Sequence, residues 1–109
     1  MRPHAVITNE SVSHLGLRVG SDAYALIKAP WVIVTTSEGF KTSARNELHG
    51  KVARCQEGAV NGEVVIELAG GKFVAAVITN DSMKSLGIKE GVKACALIKA
   101  SHVILAVNA

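Results

Sequence analysis

The chain has 109 residues, of which 49% are hydrophobic and only 4% aromatic, and its 12 basic and 9 acidic residues give a formal net charge of +3. This length is typical of one small domain, and the small aliphatic residues favour many short strands. The charge is too small to indicate a nucleic-acid or membrane surface by itself, but it is compatible with a small anion as ligand. Because no apolar run is long enough for a membrane span and the N-terminus lacks a signal-peptide pattern, we expect a cytoplasmic protein.

Two segments of the chain have nearly the same sequence. Residues 5–34 and 76–105 align without a gap at an offset of 71 residues, and 17 of the 30 aligned positions are identical. Only the second copy follows a long front half, residues 42–75. A period of this length indicates a duplicated small domain, one copy of which lacks its beginning. We therefore expect three parts, namely an incomplete first unit at 1–36, a connecting turn at 37–41 and a complete unit at 42–109.

In chain order, the first copy supplies the end of one strand, a short helix and two strands, so it cannot close a barrel by itself. The polar residues 35–41 predict a turn rather than a flexible linker, and the two halves should therefore pack together.

The second copy predicts three strands, a short helix and two further strands. Gly70 and Gly71 mark a hairpin because glycine adopts the positive φ of tight turns. Thr79 to Ser82 supplies acceptors for a helix start, and Gly87 ends that helix in the left-handed conformation. We predict strands at 50–57, 63–68, 72–78, 92–99 and 102–107. This order is typical of an all-β, OB-like five-stranded barrel with one short helix, here accompanied by a second, partial unit.

Three segments are polar where a barrel scaffold does not demand it. They are residues 42–46, residues 58–61 and the lysine that ends each Ala-Leu-Ile-Lys-Ala run, Lys28 or Lys99. Segment 42–46 concentrates hydrogen-bond donors, and each charge-assisted bond to an oxyanion is worth about 1.5–3 kcal/mol net. The alternative to a ligand site is a purely structural role, in which residues 42–46 begin a strand and Lys28 and Lys99 are solvated strand ends. The repeated placement of the lysine directly after an apolar run favours an oxyanion ligand.

Cysteine and histidine give no sign of a metal site or of catalysis. Cys55 and Cys95 lie in apolar, strand-like runs without a CxxC pattern, which predicts buried free thiols in a reducing compartment. The four histidines are scattered, so we expect no direct protein ligand to a metal. No nucleophile lies at a suitable spacing from a base, and we therefore expect a protein that is not an enzyme.

The motifs T-SARN-E-L-x-G-K-V, EGAVN-x-E-V, AVITN-[DE]-S, L-G-[LI]-x-x-G and ALIKA-S-x-V-I-L occur in this order. Together they resemble the molbindin family, the Mop or TOBE domains that bind molybdate and tungstate. The resemblance covers one complete unit, Thr42 to Val107, and the back half of another, Ala5 to Val34, like the tandem type of molbindin. It implies storage or homeostasis of the oxyanion by a homo-oligomer that exchanges strands and holds molybdate or tungstate between subunits.

Carried over by position, the resemblance also implies a set of binding residues. The binding segment of one unit would be Ser43, Ala44, Arg45 and Asn46, and a facing unit would supply one of two complementary sets. The first set is Thr79, Ser82, Lys99 and Ala100, and the second is Thr8, Ser11, Lys28 and Ala29. Ala44 and Ala100 would act through their backbone N–H groups. One binding segment and two lysine sets imply one complete site per chain, in which we favour Lys99.

The chain departs from the family pattern ahead of Ala5, where the equivalent of the 34 residues 42–75 is absent from the first copy. We expect a fragment of a longer protein, a misassigned or truncated gene start, or strands supplied by another chain. One alternative function is the sensing module of a transcription regulator or a molybdate-transporter ATPase, although the chain has no helix-turn-helix or phosphate-loop pattern. A remote alternative is an OB-type nucleic-acid-binding module, for which the aromatics are too few and too dispersed.

Overall fold

The structure is a computed structural model that describes residues 5–39 and 41–108, so residues 1–4, 40 and 109 of the predicted units lie outside the described residues. The strands are β1 (Tyr24–Ile27), β2 (Ile33–Thr35), β3 (Asn46–Glu57), β4 (Asn61–Leu68), β5 (Phe73–Thr79), β6 (Lys93–Ile98) and β7 (Val103–Ala106). The helices are α1 (Asn9–Leu15) and α2 (Asn80–Leu86), and two short 3-10 helices lie at Ala29–Trp31 and Ala100–His102. The strands and the helix predicted for the second copy are confirmed, except that β3 begins earlier, at Asn46.

Strands β3, β4 and β5 form an antiparallel meander because each follows the last through a short turn. Along β4 the buried and exposed residues alternate, as expected for a strand with one face on the core. Gly62 of β4 is buried beneath α2, where an added Cβ would collide with the methyl group of Met83. The helix therefore packs directly on the sheet backbone at this point.

The two copies exchange their last strands. The five-stranded sheet has the order β2-β6-β3-β4-β5, while β7 pairs with β1 in a separate two-stranded sheet. Ile33 lies opposite Leu97, and Leu26 lies opposite Ile104. These two pairs are equivalent because each residue differs from its counterpart by the repeat offset of 71. The copies are thus related by a pseudo-twofold axis within one chain, and the expectation that they pack together is confirmed.

The predicted complete unit therefore does not use its own last strand in its sheet. A 3-10 helix, rather than a hairpin turn, joins β6 to β7, so β7 continues away from β6. Strand β2 of the first copy fills the position beside β6 instead.

The core lies inside the curled sheet and consists of aliphatic side chains. Val64, Ile66, Ala76 and Ala96 are all 0% exposed, and full burial of one large aliphatic side chain contributes about 1.5–3 kcal/mol. The first copy differs, since neither α1 nor β1 contains a buried residue. The OB-like, mostly β class is confirmed as a curled five-stranded half-barrel. Within residues 5–39 and 41–108, no helix is long and apolar enough to cross a membrane.

Candidate oxyanion site

The predicted binding segment, residues 43–46, lies where β3 begins, at one end of the ladder between β3 and β6. Asn46 is 3% exposed, and its Nδ2 donates a hydrogen bond of 3.1 Å to the carbonyl of Ile98. A buried amide that satisfies a strand carbonyl holds the two strands together at this end. In the structure, Asn46 therefore positions the segment.

Local hydrogen bonds shape the turn ahead of Asn46. The Ala44 N–H donates to the Thr42 hydroxyl at 3.2 Å, and that hydroxyl donates to Oε1 of Glu47 at 3.0 Å. The side chains of Ser43 and Arg45 are exposed and form no hydrogen bond with the described residues. They are the two donors of the segment that are open to a ligand.

Lys99 and Ala100 lie beside this segment because β3 and β6 are paired. The last pair of the ladder is Asn46 opposite Ile98, so the next residues outward are Arg45 on one strand and Lys99 on the other. Lys99 is exposed and extended, with φ −67° and ψ 136°. Two cationic side chains thus leave the sheet at the same point, and such a pair favours an anion between them.

The threonine and serine of each predicted set form the N-cap of a short helix. The Thr79 hydroxyl accepts from the Ser82 N–H at 3.0 Å and donates to the Ser82 hydroxyl at 2.8 Å. Thr8 and Ser11 make the same contacts at 3.1 Å and 3.0 Å. Because each threonine proton is engaged by the serine, the serine O–H is the donor left for a ligand.

The backbone decides which cap faces which 3-10 helix. The Val6 N–H donates to the carbonyl of Ala100 at 2.9 Å, which brings Thr8, two residues further along, towards the second 3-10 helix. Correspondingly, β5, which ends at Thr79, packs against the first 3-10 helix, which begins at Ala29. Within one chain, Thr8 thus lies near Ala100 and Thr79 near Ala29. Each predicted set instead combines the threonine and the alanine of the same copy.

The two candidate lysines have different surroundings. The Nζ of Lys28 lies 5.2 Å from the centroid of the Trp31 ring, within the range of a cation–π contact. The second copy has His102 at the position of Trp31. Lys99 forms no ion pair or ring contact within residues 5–39 and 41–108. Lys99 is therefore the more accessible of the two ammonium groups.

The described residues contain no group of three or more His, Cys, Asp or Glu side chains that could hold a metal ion. Both cysteines are free; Cys95 is buried, whereas Cys55 is half-buried. Burial, followed by the Glu47 carboxylate, raises the pKa of the Cys95 thiol, although a hydrogen bond with the Leu48 backbone opposes the shift. The predicted buried thiol is thus confirmed for Cys95 and only partly so for Cys55.

Some contacts around the site were not predicted from the sequence. The pairing of Val6 with Ala100 depends on the strand exchange and leaves no local signal. The different surroundings of Lys28 and Lys99 do leave a signal in the sequence, because the repeat has Trp31 in one copy and His102 at the equivalent position of the other.

Comparison with known proteins identifies the family of this chain. The model of the TOBE domain matches residues 4–34 and 42–105. The "Molybdenum transport protein ModE" of Azotobacter vinelandii is 48% identical over 103 residues, which are 94% of this chain and 38% of that protein. "Molybdenum-pterin-binding protein 3" of Clostridium pasteurianum is 48% identical over 63 residues, which are 58% of this chain and 93% of that protein.

A solved structure extends the likeness to the whole fold. The cytoplasmic molybdate-binding protein ModG, in a crystal form with molybdate bound, superimposes with a TM-score of 0.92 and 45% identity over 95% of this chain and 74% of that chain. The chain spans only 38% of the length of the Azotobacter relative, so its similarity to that protein concerns one part of it. On its sequence and its fold, the chain belongs to the TOBE domain family.

Proposed function

We propose that the chain binds molybdate or tungstate at a site assembled from both copies, and that it serves cytoplasmic storage and homeostasis of the oxyanion. The observation that carries the proposal is the position of Arg45 beside Lys99 at the end of the β3–β6 ladder. The Val6–Ala100 hydrogen bond adds the Thr8 segment to the same place. The relatives support the ligand, since ModG is described as a cytoplasmic molybdate-binding protein.

In the proposed site, binding is non-covalent and depends on hydrogen-bond donors. The hydroxyl of Ser43 and the guanidinium of Arg45 approach from one side and the ammonium of Lys99 from the other. Each charge-assisted bond is worth about 1.5–3 kcal/mol, so several offset the cost of desolvating a dianion. The remaining donors are the backbone N–H group of Ala100 and the hydroxyl of Ser11, which Thr8 positions. The Ala44 N–H bonds to the Thr42 hydroxyl and joins the site only if that bond opens. Asn46 holds the segment through its bond to β6.

The other set, Thr79, Ser82, Lys28 and Ala29, has no second binding segment in this chain. We therefore infer one complete site per chain, formed between an incomplete unit at 1–36 and a complete unit at 42–109. We also infer a homo-oligomer, because strand β1 exposes Tyr24 and Leu26 at 58% and 50% of their surfaces. Exposed apolar strand residues of this kind are common where another subunit packs.

Titration calorimetry with molybdate, tungstate and sulfate tests the ligand, and native mass spectrometry of the same samples tests the assembly. We expect one molybdate per chain and much weaker binding of sulfate, because a rigid cage separates the ions by size. No heat and no rise in melting temperature with molybdate at hundreds of micromolar would refute the proposal.

A second candidate is a molybdate-sensing module of a transcription regulator or of a transporter ATPase. The observation that favours it is that the chain matches 38% of the length of the Azotobacter ModE protein. The same oxyanion site would then transmit a signal to another domain. Sequencing the reading frame upstream of Met1 separates the two functions, because a sensor requires an adjoining DNA-binding or nucleotide-binding domain.

A further inference from the structure

A groove lies on the outer face of the five-stranded sheet, beneath residues 35–38. Its main cavity has a volume of about 450 Å³. A smaller cavity of about 180 Å³ shares Thr35, Ser37, Glu38, His49 and Cys95 with it, so the two form one space, which we call the outer groove. Sites for small organic ligands typically enclose about 300–1,000 Å³. The outer groove is thus far larger than a single tetrahedral oxyanion requires.

Two lysines meet in the main cavity. Lys51 and Lys93 lie directly opposite each other on β3 and β6, at the other end of the ladder from Asn46. Like charges in this arrangement destabilise a sheet. Glu67, opposite Lys51 on β4, and Glu38 line the same cavity, yet neither lysine forms an ion pair within residues 5–39 and 41–108. The two ammonium groups therefore form a place for an anionic group.

The rest of the outer groove supplies an apolar floor with a few polar groups. Cys95 is 5% exposed, and its Sγ lies 4.0 Å from Nε2 of His49. Glu38 and Glu67 also line the cavity, whereas the side chain of Leu68 belongs to the core on the other face of the sheet. The segment above is held in place, since the Thr36 hydroxyl donates to the Leu86 carbonyl at 3.3 Å. Apolar lining with a few convergent polar groups is the usual character of a small-molecule site.

We propose that the outer groove binds a small organic anion, a carboxylate or a phosphate monoester with an apolar body. The anionic group lies between Lys51 and Lys93, and the apolar body covers Cys95. This ligand differs from an inorganic oxyanion because it fills the apolar part of the groove. The two lysines lie at the other end of the β3–β6 ladder from the proposed molybdate site, although the smaller cavity extends to Thr42 and Glu47 near that site.

The proposal is tested by titrating the full chain with phenyl phosphate, benzoate and neutral benzyl alcohol. Binding is followed by the amide chemical shifts in nitrogen-15 NMR spectra. We expect at least one of the two anions to shift amides at 35–38, 49–51 and 93–95, and benzyl alcohol to bind much more weakly. The anion that binds more tightly identifies the headgroup. Lys51→Gln and Lys93→Gln should each weaken that binding about tenfold, whereas Lys72→Gln, in the exposed β4–β5 turn, should leave it unchanged.

Three results would overturn the proposal. The first is the absence of saturable shifts with either anion, and the second is displacement of the bound anion by molybdate, which would place both in one site. The third is a shift of the same amides with protein concentration alone, which would make the groove an interface between copies. Amide spectra of Lys93→Gln without ligand verify its fold, and unchanged molybdate binding by this variant would keep the two sites distinct.

Discussion

The indole of Trp31 and the imidazole of His102 stack with their centroids 4.8 Å apart and an interplanar angle of 35°. The two residues are separated by the repeat offset, and each ends a 3-10 helix. A contact between equivalent residues lies on the pseudo-twofold axis, where the copies exchange strands. The pair therefore joins the two halves of the chain at the centre of the exchange.

A double-mutant cycle of Trp31→Ala and His102→Ala should reveal coupling between the two rings. Ring pairs contribute about 0.5–1.5 kcal/mol beyond the area that they bury, and we expect a coupling free energy in that range. Urea unfolding followed by circular dichroism measures it. Tyr24→Ala removes an exposed aromatic, 58% exposed, and combined with His102→Ala it should be additive. If the changes in unfolding free energy of Trp31→Ala and His102→Ala were also additive, the contact between the two rings would contribute nothing to stability.

Lys99→Ala should weaken molybdate binding more than Lys28→Ala. Lys99 lies next to Arg45 at the end of the ladder, whereas Lys28 rests on the Trp31 ring. Loss of a charge-assisted bond worth about 1.5–3 kcal/mol corresponds to roughly a 10- to 150-fold weaker affinity for Lys99→Ala. We expect a change of less than about threefold for Lys28→Ala. Calorimetric titration of both variants measures the two affinities. A larger loss of molybdate affinity in Lys28→Ala than in Lys99→Ala would place the site at the first 3-10 helix instead.

Asn46→Ala should destabilise the fold, because it leaves the Ile98 carbonyl without the Asn46 amide in a buried position. A buried hydrogen bond contributes about 0.5–1.5 kcal/mol net, and we expect a loss of this size in the free energy of unfolding. Asn61→Ala, at an exposed position where β4 begins, is the matched control and should change stability by less than about 0.5 kcal/mol. If both variants unfolded at the same urea concentration, the positioning role of Asn46 would be wrong.

The strands and helix of the second copy were predictable because their signals are local. Gly70, Gly71 and Gly87 mark turns, and Thr79 marks a helix cap, whatever the rest of the chain does. The exchange of β2 for β7 was not predictable. The last strands of the two copies follow the same Ala-Leu-Ile-Lys-Ala run and have similar apolar patterns. From the sequence alone, either strand could therefore pair with the edge of β6.

The same reasoning applies to the candidate site. The types of donor in residues 43–46 and the presence of two lysines are visible in the sequence. The sequence does not reveal which threonine lies near Ala100, because that depends on the strand exchange and on the hydrogen bond of the Val6 N–H. The buried role of Asn46 was missed for a similar reason, since its partner is 52 residues away.

Cys55 should react with iodoacetamide faster than Cys95 at pH 8. Cys95 is buried and its thiol pKa is raised, so both access and the thiolate fraction are low. The raised pKa also means that the folded state holds this proton more tightly than the unfolded chain. Stability from this group is therefore present below the ordinary pKa of 9.0 and is lost as the pH rises above it. Mass spectrometry of the alkylated peptides measures the rates, and equal rates in the native state would contradict the burial argument.

Thr8→Ala and Thr79→Ala form a matched pair that separates helix capping from ligand binding. Each removes the same cap contacts from a seven-residue helix, and loss of an N-cap costs about 0.5–2 kcal/mol of helix stability. Only Thr8 lies on the segment that bonds to Ala100. Because Ser11 loses its positioning partner in Thr8→Ala, we expect molybdate affinity to fall several-fold in that variant and to stay unchanged in Thr79→Ala. Calorimetry at a temperature where both variants are folded makes the comparison. A loss confined to Thr79→Ala would show that the site is completed by the second copy's own cap, supplied across a subunit interface.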